Sequence, residues 1–447
     1  MKKLLVRLGA LALAVLMVLS VAGCGTTATT SSDPASSGTT SSSKRPPVKA
    51  EAVINDNVTT ADYKGTEIIY ATWRDPAQYE DAIVVEEFQK AYGINVKIDL
   101  MSETEYTNKV LGRIASSQAP DVYFSTYTFP YCLEALQPID AAKLNLNEDI
   151  WDDALIDLAT VNGKTYLVDT VGNIWKDQDM VFYNKKIFRD NGWNTPEEYY
   201  EAGKWTYETM ADCMKKVAGL GTDYIGGAIH LEGLIHSAGA SVIGFENGKF
   251  VNGTKNTVTQ DIMRWASEGV KEGWLSTTSI YSALNQFPAG DVAIAILHSF
   301  GLKKTGYLRT MKASDIGFTY LPSWNGEPVK ATSFVRGWGI CKGAKNPVAA
   351  GIFLRYYLDV NNYDTTSAFI SKEAESFFFK LTSTNTADKS FYFCYGTGVT
   401  GVTGKESAVG DYIQTPAHSD PSQVVTEIDK YQGALNSDIS KLNGKLK

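Results

Sequence analysis

Three apolar runs between residues 66 and 125 have the β-branched content and alternation of strands. Segments with helical periodicity separate them, and the runs are TEIIYATW (66–73), INVKIDLM (94–101) and DVYFS (121–125). Strand and helix alternate here at the spacing of a parallel sheet covered by helices. The pattern therefore predicts the α/β fold class.

The first helical segment, PAQYEDAIVVEEFQKAYG, places Tyr79, Ile83, Phe88 and Tyr92 near one stripe and predicts an end at Gly93. The same pattern returns later. It predicts helices in TYETMADCMKKVAG and TVTQDIMRWASEGVKEG, a strand in VAIAIL (292–297), a helix that begins at Asn346-Pro347, and an amphipathic C-terminal stretch. The roughly 385 residues that follow residue 62 are enough for two ordinary domains.

The N-terminal residues have the pattern of an export signal. Lys2, Lys3 and Arg7 precede the uncharged stretch LGALALAVLMVLSVAG, which at 16 residues is short for a membrane-spanning helix. The stretch ends in Val21-Ala22-Gly23-Cys24, which resembles a bacterial lipobox. We therefore predict a signal peptide over residues 1–23 and a lipid, with fatty acyl chains such as palmitate, on Cys24.

Residues 24–62 are rich in Ser and Thr and poor in large apolar side chains. Such a segment cannot offset the entropy that ordering costs, so it predicts a disordered tether. About 40 residues of flexible coil span on the order of 35 Å, which would hold a globular protein clear of a membrane surface.

The formal net charge is −8, and it becomes −11 without Lys2, Lys3 and Arg7. This balance argues against a nucleic-acid partner, which would require a basic surface. Cys132, Cys213, Cys341 and Cys394 show no C-x-x-C spacing, and we interpret them mostly as buried thiols. The sequence does not decide whether two of them form a long-range disulfide.

Five segments in order resemble extracellular solute-binding protein family 1, whose members feed ABC-type sugar importers. They are GINVKIDLMSETEYTNKVLGRIASSQAPDVYF, NGKTYLV, MVFYNKKIFRDNGW, FPAGDVAIAI and GWGICKGAKNPVAAGIFLRYYL. The resemblance implies two α/β lobes, each a mainly parallel sheet, joined by hinge strands with solute between them. It implies a first lobe over residues 63–172, a second over 173–334, and a return through the hinge over 335–447.

A sugar site needs aromatic platforms for C–H faces and planar polar groups for hydroxyls. Ligands of open α/β sheets bind beyond the carboxyl ends of strands, and the resemblance places the cleft there. The candidate ligand-binding residues are Trp73, Ser125, Tyr127, Thr128, Trp175, Asp177, His298, Phe300, Arg336 and Trp338. For Trp73 the alternative is surface packing, for His298 a structural histidine, and for Trp338 hinge packing. Ser125 and Phe300 differ from the aromatic residue and the Trp of the family's maltose-binding members, so maltose itself is not implied.

The stretch HLEGLIH invites a metal hypothesis, but His230 and His236 would lie about 240° apart on a helix and could not converge. We therefore expect no metal there. Two of the three residues Asp169, Asp177 and Asp179 could form a catalytic carboxylate pair for glycoside hydrolysis. The resemblance disfavours this interpretation. The sequence shows no nucleotide-binding motif and no nucleophile motif. We therefore expect that the protein is not an enzyme and that it binds no cofactor.

The sequence thus predicts a monomeric, lipid-anchored receptor that binds a carbohydrate and delivers it to an ABC permease. The alternatives are a surface-anchored glycan-degrading enzyme and a solute receptor that feeds a signalling sensor. Amino acids, polyamines and phosphorylated compounds remain alternative ligands.

Overall fold

The computed structural model describes residues 58–75, 81–102, 105–125, 128–171, 178–221, 224–276, 286–304, 306, 308–363, 369–383, 389–393 and 408–447. The predicted signal peptide, Cys24, and the candidate ligand residues Tyr127, Trp175 and Asp177 lie outside this part of the chain. Cys394 and Tyr79 lie outside it as well.

Two five-stranded sheets form the centre of the fold, and three two-stranded ribbons accompany them within the described residues. The strands are β1 (Glu67–Thr72), β2 (Asn95–Leu100), β3 (Val122–Phe124), β4 (Leu136–Gln137), β5 (Thr160–Val161), β6 (Lys164–Thr165), β7 (Asp179–Asn184), β8 (Ile225–Ala228), β9 (Ile243–Glu246), β10 (Lys249–Asn252), β11 (Leu275–Ser276), β12 (Val292–His298), β13 (Ile316–Thr319), β14 (Ala331–Phe334), β15 (Trp338–Cys341) and β16 (Lys389–Tyr392).

Helices cover both sheets. They are α1 (Asp81–Tyr92), α2 (Tyr106–Ala115), α3 (Asp153–Leu158), α4 (Lys185–Asn191), α5 (Pro196–Glu201), α6 (Tyr207–Ala218), α7 (Leu231–Ser237), α8 (Thr257–Glu272), α9 (Pro347–Tyr363), α10 (Lys372–Ser383), α11 (Ala408–Ala417), α12 (Val424–Lys430) and α13 (Gln432–Lys445). The described part of the chain contains no helix with the length and apolar character of a membrane span.

The first sheet has the strand order β2-β1-β3-β15-β4. Strand β1 pairs in parallel with β2 and β3, as the sequence pattern predicts, whereas β15 is antiparallel to β3 and β4. The second sheet has the order β11-β8-β12-β7-β13, and its reversed strand is β7. Each sheet is therefore mainly parallel with one reversed strand.

The two reversed strands are those by which the chain passes from one sheet to the other. The chain leaves the first sheet and enters the second through β7, and it returns to the first through β15. A strand that arrives at the carboxyl end of a sheet must run against its neighbours, because those neighbours point toward that end. The reversal therefore follows from the chain crossing at the carboxyl ends.

Local sequence signals set several element boundaries. Thr195 and Glu198 form a reciprocal capping box with Pro196 at the first position of α5. Helix α1 ends at Tyr92 before Gly93, whose φ of +67° suits glycine. Helix α9 begins at Pro347, as predicted.

The buried side of α1 differs from the predicted stripe. Ile83 is 52% exposed, while Val84, Val85, Phe88 and Tyr92 are buried. The prediction is confirmed for Phe88 and Tyr92 and was wrong for Ile83, because the helix packs into the cluster of the first sheet and α9 through Val84 and Val85 instead. Spacing alone does not distinguish two adjacent apolar rows.

Described structure begins at Val58, inside the predicted tether. A single 3-10 turn covers Thr60–Tyr63, and Val58 and Tyr63 pack against the apolar cluster of the first sheet. Cys132, Cys213 and Cys341 are free, buried thiols. Burial raises the pKa of each, for Cys213 to about 11, so they are unreactive at neutral pH.

Candidate functional site

The carboxyl end of the first sheet is called here the first end. Backbone and hydroxyl hydrogen bonds join its strand end to the segment that precedes β15. Ser125 directly follows β3, and its N–H donates to the Gly337 carbonyl at 2.8 Å. The Gly337 N–H in turn donates to Ser125 Oγ at 3.0 Å. Thr128 Oγ1 donates to the Ser125 carbonyl at 2.7 Å. The Ser125 and Thr128 side chains therefore hold the end of β3 against the segment that enters β15.

Trp73 directly follows β1 at the same end. Its ring is partly buried and packs against apolar clusters of the fold, and among the described residues its indole Nε1–H has no hydrogen-bond partner. A partly buried indole N–H next to a strand end is suited to donate a hydrogen bond to a polar ligand. The indole N–H of Trp338, the other tryptophan candidate described at the first end, likewise has no partner among the described residues.

The carboxyl end of the second sheet, called here the second end, carries ionisable groups. Asp179 begins β7 opposite His298, the last residue of β12, and His230 follows β8. Asp179 Oδ1 lies 3.1 Å from His230 Nδ1 and 3.4 Å from His298 Nε2. Asp179 Oδ2 accepts from Thr332 Oγ1 at 2.8 Å. Three strands thus bring two imidazoles onto one fully buried carboxylate.

The electrostatics of the second end follow from burial and from these contacts. Burial alone would raise the pKa of Asp179, but His230, His298 and Thr332 outweigh it, so the pKa is lowered. Burial would lower the pKa of His230, yet the Asp179 carboxylate raises it. The Asp179 carboxyl is therefore kept ionised in a buried position.

Two further titratable residues of the HLEGLIH stretch lie close by. Burial raises the pKa of Glu232 to about 7, partly opposed by His230. Burial lowers the pKa of His236 to about 3, and its Nδ1 lies 3.0 Å from Ser390 Oγ. His236 therefore turns away from the Asp179 cluster, and the histidine that converges with His230 is His298.

A short segment joins the two ends. Phe334, the last residue of β14, packs edge-on against the His298 ring at 4.3 Å between ring centroids. Three peptide steps later, Gly337 is bonded to Ser125. Three residues of extended chain span at most about 11 Å. The polar groups of the second end therefore lie within one ligand length of the first end.

The remaining candidates occupy different environments. Arg336 is buried within the joining segment. Phe300 is half-buried in the 3-10 turn Ser299–Leu302 that follows β12. Trp338 is only 2% exposed and packs against Tyr70, Phe124 and Tyr357, which favours the hinge-packing alternative over ligand contact.

Sequence reasoning considered Asp179 and His230 only for a carboxylate pair and a metal site that it set aside, and it missed Phe334. The signal for His230 was its place two residues after the strand IGGA, a glycine-rich run without the β-branched residues that mark strands. Asp179 begins a strand instead of ending one, and only the reversal of β7 brings it to the carboxyl end.

Comparison with known proteins decides the family. The sequence model of the bacterial extracellular solute-binding proteins matches residues 70–360 of the 447. The chain belongs to this family. The family's members are binding proteins, so the expectation of a receptor and not an enzyme is confirmed, and the family is one of exported proteins. No curated protein sequence matches the chain significantly.

Solved structures share the two-lobe fold of solute-binding proteins. A cyclo/maltodextrin-binding protein complexed with maltotetraose has a TM-score of 0.59 at 17% identity, over 85% of this chain and 97% of its own. The galacto-N-biose/lacto-N-biose I-binding protein of Bifidobacterium longum, complexed with lacto-N-biose, has 0.60 at 14%, over 85% and 97%. An ABC substrate-binding protein of Listeria monocytogenes complexed with cycloalternan has 0.56 at 15%, over 85% and 99%. The predicted two-lobe α/β fold is confirmed.

Proposed function

We propose that this chain is the lipid-anchored receptor of an ABC sugar importer and that it binds an oligosaccharide between the first end and the second end. The observation that carries this proposal is the short joining segment, in which Phe334 contacts His298 and Gly337 contacts Ser125. A solute that touches both ends favours the closed arrangement of the two lobes.

The ligand class is supported by chemistry and by the relatives. Sugar rings present apolar faces that stack on aromatic side chains, and their hydroxyls need planar polar partners. Trp73 and Phe300 provide the aromatic rings, while His298 and Arg336 provide the polar groups. Three proteins of the same fold were solved with maltotetraose, lacto-N-biose and cycloalternan.

The remaining candidates take supporting or predicted roles in this proposal. Ser125, Thr128 and Trp338 support the first end through the contacts described above. Tyr127, Trp175 and Asp177 stay predictions as ligand contacts. The lobe boundaries 63–172, 173–334 and 335–447 are proposed on the same grounds, since the first sheet draws its strands from Glu67–Gln137 and Trp338–Cys341.

Isothermal titration tests the ligand class. The purified protein is titrated with oligosaccharides of two to six units and, in parallel, with their constituent monosaccharides, amino acids and polyamines. We expect saturable binding of at least one oligosaccharide and weaker binding of its monosaccharide, because a longer ligand reaches both ends. Tight binding of an amino acid or a polyamine, without any oligosaccharide, would contradict the proposal.

A separate experiment tests anchoring. Cys24→Ala should abolish lipidation, so that the protein leaves the detergent phase in a phase-partition assay, whereas Ser31→Ala in the tether should change nothing. A Cys24→Ala protein that still partitions with detergent would disprove the lipobox interpretation.

Delivery and oligomeric state need their own measurements. Deletion of the gene should abolish uptake of the labelled oligosaccharide identified by titration, and the purified protein should sediment as a monomer. Uptake that persists, together with a lost transcriptional response to the sugar, would instead identify a signalling receptor.

A further inference from the structure

The Asp179 cluster has the donor set of a transition-metal site. His230 Nδ1, His298 Nε2 and a carboxylate oxygen of Asp179 all lie within 4.8 Å of one another. Two imidazole nitrogens and one carboxylate oxygen are ligands that Zn²⁺ prefers, and three protein ligands with an open fourth position are typical of accessible zinc sites.

The distances from Asp179 Oδ1 to the two imidazole nitrogens agree with tetrahedral coordination. Zinc bonds to imidazole nitrogen and carboxylate oxygen of about 2.0–2.1 Å place two ligands of a tetrahedron about 3.3 Å apart. Asp179 Oδ1 lies 3.1 Å from His230 Nδ1 and 3.4 Å from His298 Nε2. The third pair, His230 Nδ1 and His298 Nε2, lies within 4.8 Å, so an ion bound by all three groups would draw the two imidazoles toward each other.

The surroundings hold the donors in place. The Thr332 hydroxyl bonds the second carboxylate oxygen of Asp179 at 2.8 Å, which is the outer contact that orients a metal-binding carboxylate. At Gly233, a Cβ would lie 2.4 Å from that same oxygen, so only glycine admits the carboxylate. Phe334 packs on the His298 ring. The cluster is thus built and oriented before any ion arrives.

Access and the imidazole protons allow binding. The side chains of His230 and His298 are 15% and 13% exposed, while Asp179 is fully buried, so an ion would enter from the imidazole side. Metal binding would displace any proton that faces Asp179, and each neutral imidazole would keep its proton on the other ring nitrogen, so that Nδ1 of His230 and Nε2 of His298 become the ligands.

We infer that Asp179, His230 and His298 form a binding site for a divalent transition-metal ion of the Zn²⁺ class at the second end. Its fourth position would be open to water or to a ligand hydroxyl. This inference stands apart from the proposed sugar binding, because metal binding is measured without any solute.

Histidine NMR on the unmodified protein is the first test. The chain has four histidines, so ring signals of His230, His236, His298 and His418 can be followed while Zn²⁺ is added. We expect saturable, 1:1 changes in the His230 and His298 signals, with those of exposed His418 and of His236 nearly unchanged. Equal changes in all four, or no saturation, would overturn the site.

Variants then test the ligand set by isothermal titration with Zn²⁺, each checked for folding by circular dichroism. Asp179→Asn, His230→Gln and His298→Gln should each weaken binding about 100-fold or more, and Thr332→Val about 10- to 100-fold, the range for an outer-shell partner. His418→Gln is the matched control and should bind as the unmodified protein does.

Cobalt gives an independent readout. Co²⁺ bound to the unmodified protein should show the intense visible absorption of tetrahedral nitrogen and oxygen coordination, and His298→Gln should lose it. A thiolate charge-transfer band would assign the metal to cysteine and overturn the inference. Zn²⁺ affinity that is the same in His230→Gln and His418→Gln would do so as well.

Discussion

The carboxyl ends of the two sheets are built from different chemistry. At the first end, Ser125, Thr128 and Gly337 are neutral, and their hydrogen bonds close the strand ends on each other. At the second end, two imidazoles converge on a buried carboxylate, with Glu232 nearby. The hydrogen bonds that hold the end of β3 are thus between neutral groups, whereas those of the second end involve a buried charge.

This difference separates two kinds of sensitivity. Loss of a neutral hydrogen bond at the first end costs the same free energy at any pH. Loss or titration of a group at the second end changes a buried charge, which is costlier and depends on pH. Substitutions at the two ends should therefore differ in size and in pH dependence.

The largest effect is expected for Asp179→Ala. The change removes the fully buried carboxylate that pairs with His230 and His298. Breaking a buried ion pair by removing one partner lowers the free energy of unfolding by about 3–5 kcal/mol. Urea unfolding at pH 7 measures it. Exposed Asp157→Ala is the control and should stay within about 0.5 kcal/mol. Equal effects of the two changes would contradict the assignment of a buried charge.

His236 should produce the largest pH dependence. Its pKa is about 3 in the folded protein, against about 6.5 in the unfolded chain. Below pH 6.5 the unfolded chain binds a proton at His236 that the folded protein does not bind. The free energy of unfolding therefore falls by up to about 1.4 kcal/mol per pH unit. Between pH 6.5 and 4, His236→Gln should therefore gain roughly 3 kcal/mol relative to the unmodified protein.

The measurement for His236 is a set of urea unfolding curves across that pH range. The raised pKa of Glu232 acts in the opposite direction, because it favours the folded state as the pH falls toward its unfolded value. That contribution is shared by both proteins and cancels in their difference. His418→Gln should run parallel to the unmodified protein, and a parallel His236→Gln curve would show that His236 titrates normally.

Phe300→Ala should weaken binding of the oligosaccharide by about 1–3 kcal/mol, which is about five- to 150-fold in Kd. The half-buried ring follows a strand end, so the unliganded fold should lose less than the roughly 3–5 kcal/mol of a core phenylalanine. Phe353→Ala, in the core of the first lobe, is the matched control. Isothermal titration measures the affinity for the oligosaccharide, and thermal unfolding measures the stability of the unliganded protein. If Phe300→Ala unfolds the protein and leaves affinity unchanged, Phe300 is core.

The smallest effect is expected for Ser125→Ala. It leaves the buried Gly337 N–H without its hydroxyl acceptor, while the reverse backbone bond remains. We expect a loss of about 1–2 kcal/mol, in the lower part of the range for an unsatisfied buried donor, and no change in that loss between pH 5 and 8. Exposed Ser102→Ala serves as the control. If the loss in free energy of unfolding changed with pH, a titrating group would contribute to the first end, and the contrast between the two ends would fail.

Elements with strong local signals were predicted well. The strand VAIAIL was predicted over residues 292–297 and is observed as Val292–His298, and helix α9 begins at the predicted Pro347. These elements depend on short-range patterns of apolar side chains, Gly and Pro. In the stripe predicted for α1, Phe88 and Tyr92 are buried and Ile83 is not, because the neighbours that the helix meets decide between adjacent positions.

The chain by itself determined the α/β class, the order of its segments and the resemblance to a solute-binding family, because these depend on local periodicity and on motifs in sequence. Only the tertiary structure decided that His230 meets His298 and Asp179, which are 51 or more residues apart along the chain. That meeting depends on the order of β8, β12 and β7 in the sheet and on the reversal of β7. Strand order is set by long-range packing and chain crossing, and no local pattern of residues encodes it.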